Sequence, residues 1–229
     1  MGLLQLQAPA GAPVSVEDAK LHLRIDGDAE NVTIERLVKA ATSNAERLTN
    51  RAFVTQRWAL TLDRFPGGNQ PIKIPLPPLK SVEAIKYFDS ADAEQTLPAS
   101  DYVVDPTGLV GKVQPAWQKS WPATSGRPMA VRIEFTAGYG EAAAVPADIV
   151  SAILLLVGSL DQNREAVVIG TIVNELPMGV EYLLSPYVIP VRHETRPAAS
   201  PHYRGSAPGC ARQLHEPGFD LCRPCAALG

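Results

Sequence analysis

The sequence predicts an α+β protein that is mainly α-helical, with N-terminal and C-terminal helices packed together and a β-rich insertion between them. Apolar residues recur at spacings of three and four near both ends of residues 1–191, and they alternate with polar residues in the middle. Residues 192–229 show neither period and are rich in Pro, Gly, Ala, Arg and Cys. We therefore expect one folded domain over 1–191 and a disordered or extended tail over 192–229.

Two helices are expected between about residues 15 and 50. Ser15 opens the first, because this hydroxyl cap is followed three positions later by Asp18 and then by apolar residues as far as Gly27. The second begins near Asn31, and its apolar stripe must face a core. The stripe consists of Ile34, Leu37, Val38, Ala41, Ala45 and Leu48.

The region of about 55–138 is predicted to be β-rich. Its apolar residues alternate with polar ones, and clusters of proline and glycine separate the runs. A proline pair soon after Ile74 excludes a central strand there, so that segment is expected to be an edge. A polar turn is expected over 89–95, and the turn sequence that begins at Asp105 predicts a hairpin. Strands are expected near 55–62, 72–74, 82–88, 102–104, 109–113 and 131–136.

Two more helices are predicted between about residues 146 and 185. Pro146 begins the first, since proline suits a first helical turn and Asp148 suits the N-terminal end of the helix dipole. We expect this apolar helix to pack against the second N-terminal helix. A loop or arm follows over 163–173, and a short helix over 177–184 ends before a Ser-Pro pair. The predicted stripe of the long helix consists of Ile149, Ile153, Leu156, Val157 and Leu160.

The folded part offers no recognisable catalytic chemistry. His22 is its only histidine, and we expect a half-buried packing residue on the first helix. No nucleophile motif, phosphate-binding loop or dinucleotide motif occurs. The segment 138–140, Gly-Tyr-Gly, fits a chain reversal after a strand. We therefore predict that the protein is not an enzyme and uses no cofactor; an enzyme that uses carboxylates of the β region is a rival interpretation.

Charge and hydropathy restrict the partners. The net charge is −3, and no run of lysines or arginines indicates a site for phosphate backbones, so sequence-specific binding of nucleic acid is not expected. The N-terminus lacks the pattern of a signal peptide. The longest apolar run, 152–158, is far shorter than the roughly 20 residues that span a bilayer. We expect no interaction with a membrane.

The tail contains the one pattern typical of a metal site. Three thiols and an imidazole follow the spacing C-x4-H-x6-C-x2-C, and tetrahedral zinc accepts such a set. This pattern supports an alternative function, a protein-binding or nucleic-acid-binding module with a zinc-bound tail. The biased composition is also what GC-rich DNA yields when it is translated in a shifted frame, which would leave a tail with no selected function. The four candidate ligands are Cys210, His215, Cys222 and Cys225.

Three stretches, taken together, resemble the head-to-tail connector, or adaptor, family of long-tailed bacteriophages. They are RIEFTAGYG from Arg132, VPADIVSAILLLVGSL from Val145 and NREAVVIGTIVNELPMGVEYLLSPYVIP from Asn163. The resemblance covers roughly 14–190, in the expected order of N-terminal helices, β-rich middle and C-terminal helices. It implies that 1–191 is a head-tail adaptor domain.

The resemblance also implies a structural role in the virion. Members of that family form a ring, usually of about twelve copies, under the portal of the phage head. The ring extends the channel through which double-stranded DNA passes without sequence-specific binding, and it docks head-completion or tail proteins. The implied location is the head-tail junction, after assembly in the cytoplasm of the bacterial host.

The β-branched run after residue 163 has no catalytic group and is better explained as a contact surface. We predict that it reaches a neighbouring subunit or the portal protein, with a glycine at the point where the arm bends. The predicted contact residues are Arg164, Glu165, Val167, Val168, Ile169, Gly170, Ile172 and Val173.

Overall fold

A computed structural model describes residues 1–162 and 178–190, which lie in one compact unit spanning Met1–Val191. In these ranges the chain forms four α-helices and two antiparallel sheets. The expectation of a mainly α-helical protein is wrong, because strands are as extensive as helices and the fold is mixed α+β. Two strands that the sequence pattern does not reveal contribute to this difference.

The helices and strands alternate in blocks along the chain. The helices are α1 (Val16–Leu23), α2 (Asn31–Thr49), α3 (Ala147–Gln162) and α4 (Met178–Leu184). The strands are β1 (Gly2–Gln7), β2 (Gln56–Leu62), β3 (Ile72–Lys73), β4 (Leu79–Phe88), β5 (Glu94–Thr96), β6 (Tyr102–Asp105), β7 (Lys112–Pro115) and β8 (Val131–Ala137).

The N-terminal cap of α1 is formed as predicted. Ser15 Oγ accepts a hydrogen bond from the backbone N–H of Asp18 at 3.0 Å. The helix ends earlier than the predicted limit at Gly27, because Arg24 adopts a left-handed conformation and its N–H bonds back to the carbonyls of the last turn. Ile25, the last apolar residue of the predicted helix, therefore lies outside it.

The four helices share one core, here called the helical core. Helices α2 and α3 pack against each other as predicted, and α4 closes the group against α3. The predicted stripe of α2 is buried except for two half-buried leucines. The large buried members of this core include Ile34, Val38, Phe53, Ile149, Ile153, Leu156, Val157 and Leu184.

The larger sheet has five strands in the order β1-β2-β8-β4-β5. Its central strand, β8, alternates between buried and half-buried residues, as expected for a strand with one face on a core. Leu60 of β2 and Ile85 of β4 both lie opposite Ile133 of β8, and all three are buried. The predicted strands near 55–62, 82–88 and 131–136 are thus confirmed.

The smaller sheet has three strands in the order β3-β7-β6. The segment near Ile74 contributes only a two-residue edge strand, and the predicted hairpin is formed by β6 and β7. The inner faces of the two sheets share a second core, here called the sheet core. Beside it, the rings of Phe65 and Trp121 stack with their centroids 4.8 Å apart.

Two strands were not expected. β1 pairs with β2, and although Leu4-Gln5-Leu6-Gln7 alternates apolar and polar residues, the strand is almost entirely exposed. β5 begins inside the predicted polar turn of 89–95, where three exposed polar residues pair with the end of β4. In both cases pairing with a neighbouring strand, rather than burial, determines the local structure.

The helical half and the sheet half are joined beside Gly138. Its φ of 124° is a conformation that side-chain-bearing residues rarely adopt, and its N–H donates to the Pro78 carbonyl at 2.9 Å. A Cβ at this position would lie 2.6 Å from the Val54 carbonyl oxygen. The next residue, Tyr139, donates its N–H to the Phe53 carbonyl. The predicted chain reversal is thus a bend that carries the chain past the segment between α2 and β2.

Candidate assembly surfaces

The predicted contact residues lie outside the described residues. This holds for Arg164, Glu165, Val167, Val168, Ile169, Gly170, Ile172 and Val173, and equally for the candidate ligands Cys210, His215, Cys222 and Cys225. These assignments stay predictions. Within 1–162 and 178–190 no cluster of three or more His, Cys, Asp or Glu side chains could hold a metal ion.

An exposed apolar surface lies at α4, the first element after residues 163–177. Met178 and Tyr182 lie one turn apart on α4 and are 84% and 80% exposed. Gly179 lies against α3, since a Cβ there would be 3.5 Å from Leu155 Cδ1, and Leu155 is itself 38% exposed. We call these three apolar side chains, Leu155, Met178 and Tyr182, the α3–α4 patch.

His22 differs from its prediction. It is exposed rather than half-buried. Its ring lies beside α3, where a Cβ at Gly158 would be 3.7 Å from His22 Nε2. The ring therefore covers a small residue of α3 without entering the core.

A groove runs between the segment 8–16 and α2 and encloses about 670 Å³. One side is formed by small apolar residues of that segment, and the other by residues of α2 that recur every three or four positions. Glu35 and Lys39 form an exposed ion pair at 2.6 Å on this side. The hydrogen bond from Lys39, followed by its charge, lowers the pKa of Glu35. The groove is thus mixed in polarity.

Glu46, at the end of the groove, connects the two halves of the subunit. One carboxylate oxygen accepts the Phe53 N–H at 2.8 Å and the Gln56 side-chain amide at 2.9 Å. Gln56 in turn accepts from the Gln5 amide at 2.7 Å. Burial raises the pKa of the Glu46 carboxyl, although both hydrogen bonds oppose the shift. α2, β2 and β1 are therefore tied together by side chains.

The outer face of the larger sheet carries a balanced ionic network. Arg57 lies 3.6 Å from Glu83 and 3.7 Å from Glu134, and Arg132 lies 3.2 Å from Glu134. Thr136 also donates its hydroxyl proton to Glu83. Each of these two arginines therefore faces a carboxylate on this side of the sheet. No helix in the described part of the chain is both long and apolar enough to cross a membrane.

Comparison with known proteins identifies the fold. Residues 13–97 match the family described as phage gp6-like head-tail connector protein. The resemblance to head-tail connectors is confirmed. The match begins just before α1 and ends after β5, so it lies in the part that precedes the three stretches from which the resemblance was inferred.

Solved structures extend the likeness beyond the matched residues. The neck of an empty GTA particle computed with C6 symmetry contains a chain 24% identical, with a TM-score of 0.70. The virion of the native gene transfer agent (GTA) particle contains one 25% identical, with a TM-score of 0.69. The neck of the native GTA particle computed with C12 symmetry contains one 24% identical, with a TM-score of 0.68. Each alignment covers 83% of this chain and 97% of the other.

None of the curated proteins matches the chain significantly. The family match and the structural neighbours nevertheless agree, since the matched family is described as a head-tail connector and the neighbours are chains of GTA necks and virions. Sequence reasoning missed Glu46 and β1, because neither belongs to an apolar stripe or to a known motif.

Proposed function

We propose that this connector forms a ring of about twelve copies between the portal of a phage head and the tail. The ring extends the DNA channel and docks head-completion or tail proteins. The observation that carries this proposal is the fold likeness to chains from particle necks, which extends over 97% of each of those chains. A connector of this kind performs no catalysis.

The exposed surfaces are consistent with a subunit that has neighbours. A ring subunit contacts its neighbours through two different surfaces, so it exposes more apolar area than an isolated domain requires. The α3–α4 patch exposes three large side chains close together. The groove beside α2 supplies a second, separate surface.

The balanced charge is consistent with a channel for DNA. A protein that neutralises many phosphates binds DNA tightly, and tight binding would slow the passage of the genome. The net charge of −3 and the paired arginines on the sheet face both avoid that outcome. Double-stranded DNA is therefore proposed to pass without sequence-specific contacts.

The segment between α3 and α4 is proposed to contact a neighbouring subunit or the portal. Its β-branched run, which includes Val167, Val168 and Ile169, is uncharged and has no catalytic group. The segment is followed immediately by Met178 of the α3–α4 patch. Arm and patch are adjacent in the sequence, and both are proposed as contact surfaces.

Deleting Ala166–Gly170 tests the arm. The deletion removes none of the described residues of either core, so we expect a folded monomer with the thermal midpoint of the wild-type chain. Heads should fill with DNA but fail to join tails, because the contact surface is missing. Electron micrographs of particles produced with the shortened chain provide the measurement.

Two further variants sharpen this test. Changing Val167, Val168 and Ile169 to serine keeps the length of the arm and should also abolish joining. The matched control is Val32→Ser, which removes an exposed valine from α2 and should leave joining unchanged. Normal tails on particles made with the deletion variant would contradict the proposed role of the arm.

A further inference from the structure

The outer margin of the larger sheet is an unprotected strand. β1 pairs with β2 on one side, and no strand within 1–162 and 178–190 pairs with its other side. Alternate residues of such a strand direct their N–H and C=O groups away from the sheet. β1 carries no charge and no proline, and Leu4 is 58% exposed. These are the features of a strand that accepts another strand.

The opposite margin of the same sheet differs. β5 is only three residues long and carries Glu94. The part of β4 that β5 leaves uncovered contains two register shifts and the charged residues Lys80 and Glu83. Short length, charge and bulges are the means by which proteins prevent pairing at a sheet edge. One margin of the sheet is thus protected from pairing and the other is not.

The smaller sheet shows the same asymmetry. One margin, β3, has only two residues, whereas the other margin, β6, has four and pairs with β7 without a register shift. Val103 of β6 is 48% exposed. The only charge in β6 is Asp105, whose carboxylate accepts the N–H and the hydroxyl of Thr107 in the following turn. β6 is therefore a second margin with an exposed aliphatic side chain, and its one charge already accepts hydrogen bonds from the following turn.

β1 is held firmly in place. The Gln5 amide donates to Gln56 at 2.7 Å, and Gln56 donates to Glu46 of α2 at 2.9 Å. At the other end of the strand, the Thr61 hydroxyl donates to the Gly2 carbonyl at 3.2 Å. A strand that is already ordered loses little conformational entropy when a partner adds to it.

We propose that β1 of one subunit pairs with β6 of the neighbouring copy of this chain. The inference rests on the proposed ring. A contact between two different margins is heterologous and can repeat around a ring, whereas pairing of β1 with β1 would stop at a two-fold dimer. Backbone hydrogen bonds provide the attraction, and Leu4 and Val103 become buried at the junction. The assembled neck would then contain sheets that continue from one subunit to the next.

Two lysine variants test the pairing in the full-length chain. Leu4→Lys and Val103→Lys each place a charge on one margin, so self-association measured by sedimentation should weaken at least about tenfold, because that charge would be buried without a partner. Circular dichroism and thermal unfolding check that each variant is folded. The matched control, Thr96→Lys on β5, should associate like the wild-type chain, since β5 takes no part.

A mixture of the two lysine variants gives the sharper result. Leu4→Lys keeps an intact β6 and Val103→Lys keeps an intact β1. One junction between β1 and β6 can therefore form between the two variants. At concentrations where each variant alone is monomeric, we expect the mixture to form one-to-one heterodimers and no larger species. A mixture that stays monomeric overturns the pairing of β1 with β6, and so does a wild-type chain that never self-associates.

Cysteine cross-linking gives an independent measurement if a lysine variant fails to fold. In a chain whose three natural cysteines are changed to serine, Leu4→Cys and Val103→Cys together should yield a ladder of oligomers on oxidation. Rings seen by electron microscopy without any ladder overturn the inference and leave the proposed function standing. Particles that join heads to tails without this chain overturn the proposed function itself.

Discussion

At the scale of single residues, Glu46 shows why an apparently solvent-facing position can be structural. It lies away from the apolar stripe of α2, so the sequence pattern places it on the surface. Its burial comes from the chain after α2, where Phe53 and Gln56 fold back and donate to one carboxylate oxygen. A contact that forms only when a later part of the chain folds back cannot be predicted from the local sequence pattern.

The raised pKa of Glu46 predicts a dependence of stability on pH. The pKa of Glu46 in the folded state lies above the ordinary glutamate pKa. The contribution of this group to stability is therefore fully present at pH values below the ordinary pKa, and it is lost as the pH rises through the raised pKa. Glu46→Gln keeps an oxygen acceptor and does not titrate. Urea unfolding across a pH series should therefore show the wild-type chain losing stability relative to the variant as pH rises.

Glu35→Gln is a control for which we expect the opposite dependence of stability on pH. The pKa of Glu35 is lowered by Lys39, so its contribution is present above the ordinary glutamate pKa and is lost as pH falls. The effect should be small because this ion pair is exposed. A stability difference between the wild-type chain and Glu46→Gln that does not change with pH would contradict the role assigned to Glu46.

Gly138 is the residue at which backbone conformation and space both require glycine. Gly138→Ala places a Cβ 2.6 Å from the Val54 carbonyl oxygen at a φ of 124°. We expect a loss of at least about 2 kcal/mol in the free energy of unfolding. Gly126→Ala is the control, since its Cβ would meet nothing within 4 Å. Equal stabilities of the two variants in urea would show that the joint tolerates a side chain.

At the scale of elements, the cap of α1 provides a quantitative test. Ser15→Ala removes the acceptor for the Asp18 N–H and should cost about 1 kcal/mol in the free energy of unfolding. Ser43→Ala, on the exposed face of α2, should instead be neutral or slightly stabilising, because alanine favours a helix interior. Denaturant titrations measure both changes, and a loss for Ser43→Ala as large as for Ser15→Ala would refute the capping role.

The elements that could be predicted from the sequence are those with a strong period or a strong cap. α2, α3 and β8 each combine a long apolar pattern with burial, and their positions were predicted within one or two residues. β1 and β5 could not be predicted, since their residues are largely exposed and only a neighbouring strand determines their structure. The candidate contact residues of 164–173 and the boundary at 191 stay predictions for another reason, because they rest on composition and resemblance.

At the scale of the whole molecule, the two cores are connected at one joint. The helical core and the sheet core each contain fully buried isoleucines. They meet where Gly138 and Tyr139 pass the segment between α2 and β2, and where Glu46 reaches across. The many contacts at this joint predict that the two halves unfold together.

Two probes can follow the halves separately. All three tryptophans lie in the sheet half, so their fluorescence reports on the sheets, whereas far-ultraviolet circular dichroism reports mainly on the helices. We expect both signals to change at the same denaturant concentration. Ile153→Ala and Ile133→Ala, one in each core, should each cost about 2–5 kcal/mol and shift both signals together. Transitions that separate would contradict the coupling.

The hydrogen bonds from Gln5 through Gln56 to Glu46 also have a mechanical consequence. If a neighbouring subunit pairs with β1, a force between the two subunits acts at the edge of the sheet. The hydrogen-bonded side chains transmit that force directly to α2. α2 is packed along α3, whose far end leads to the proposed arm. A force applied on one side of the subunit would therefore be transmitted through α2 and α3 to the other side. A particle under internal pressure could distribute that strain around its circumference without stretching a loop.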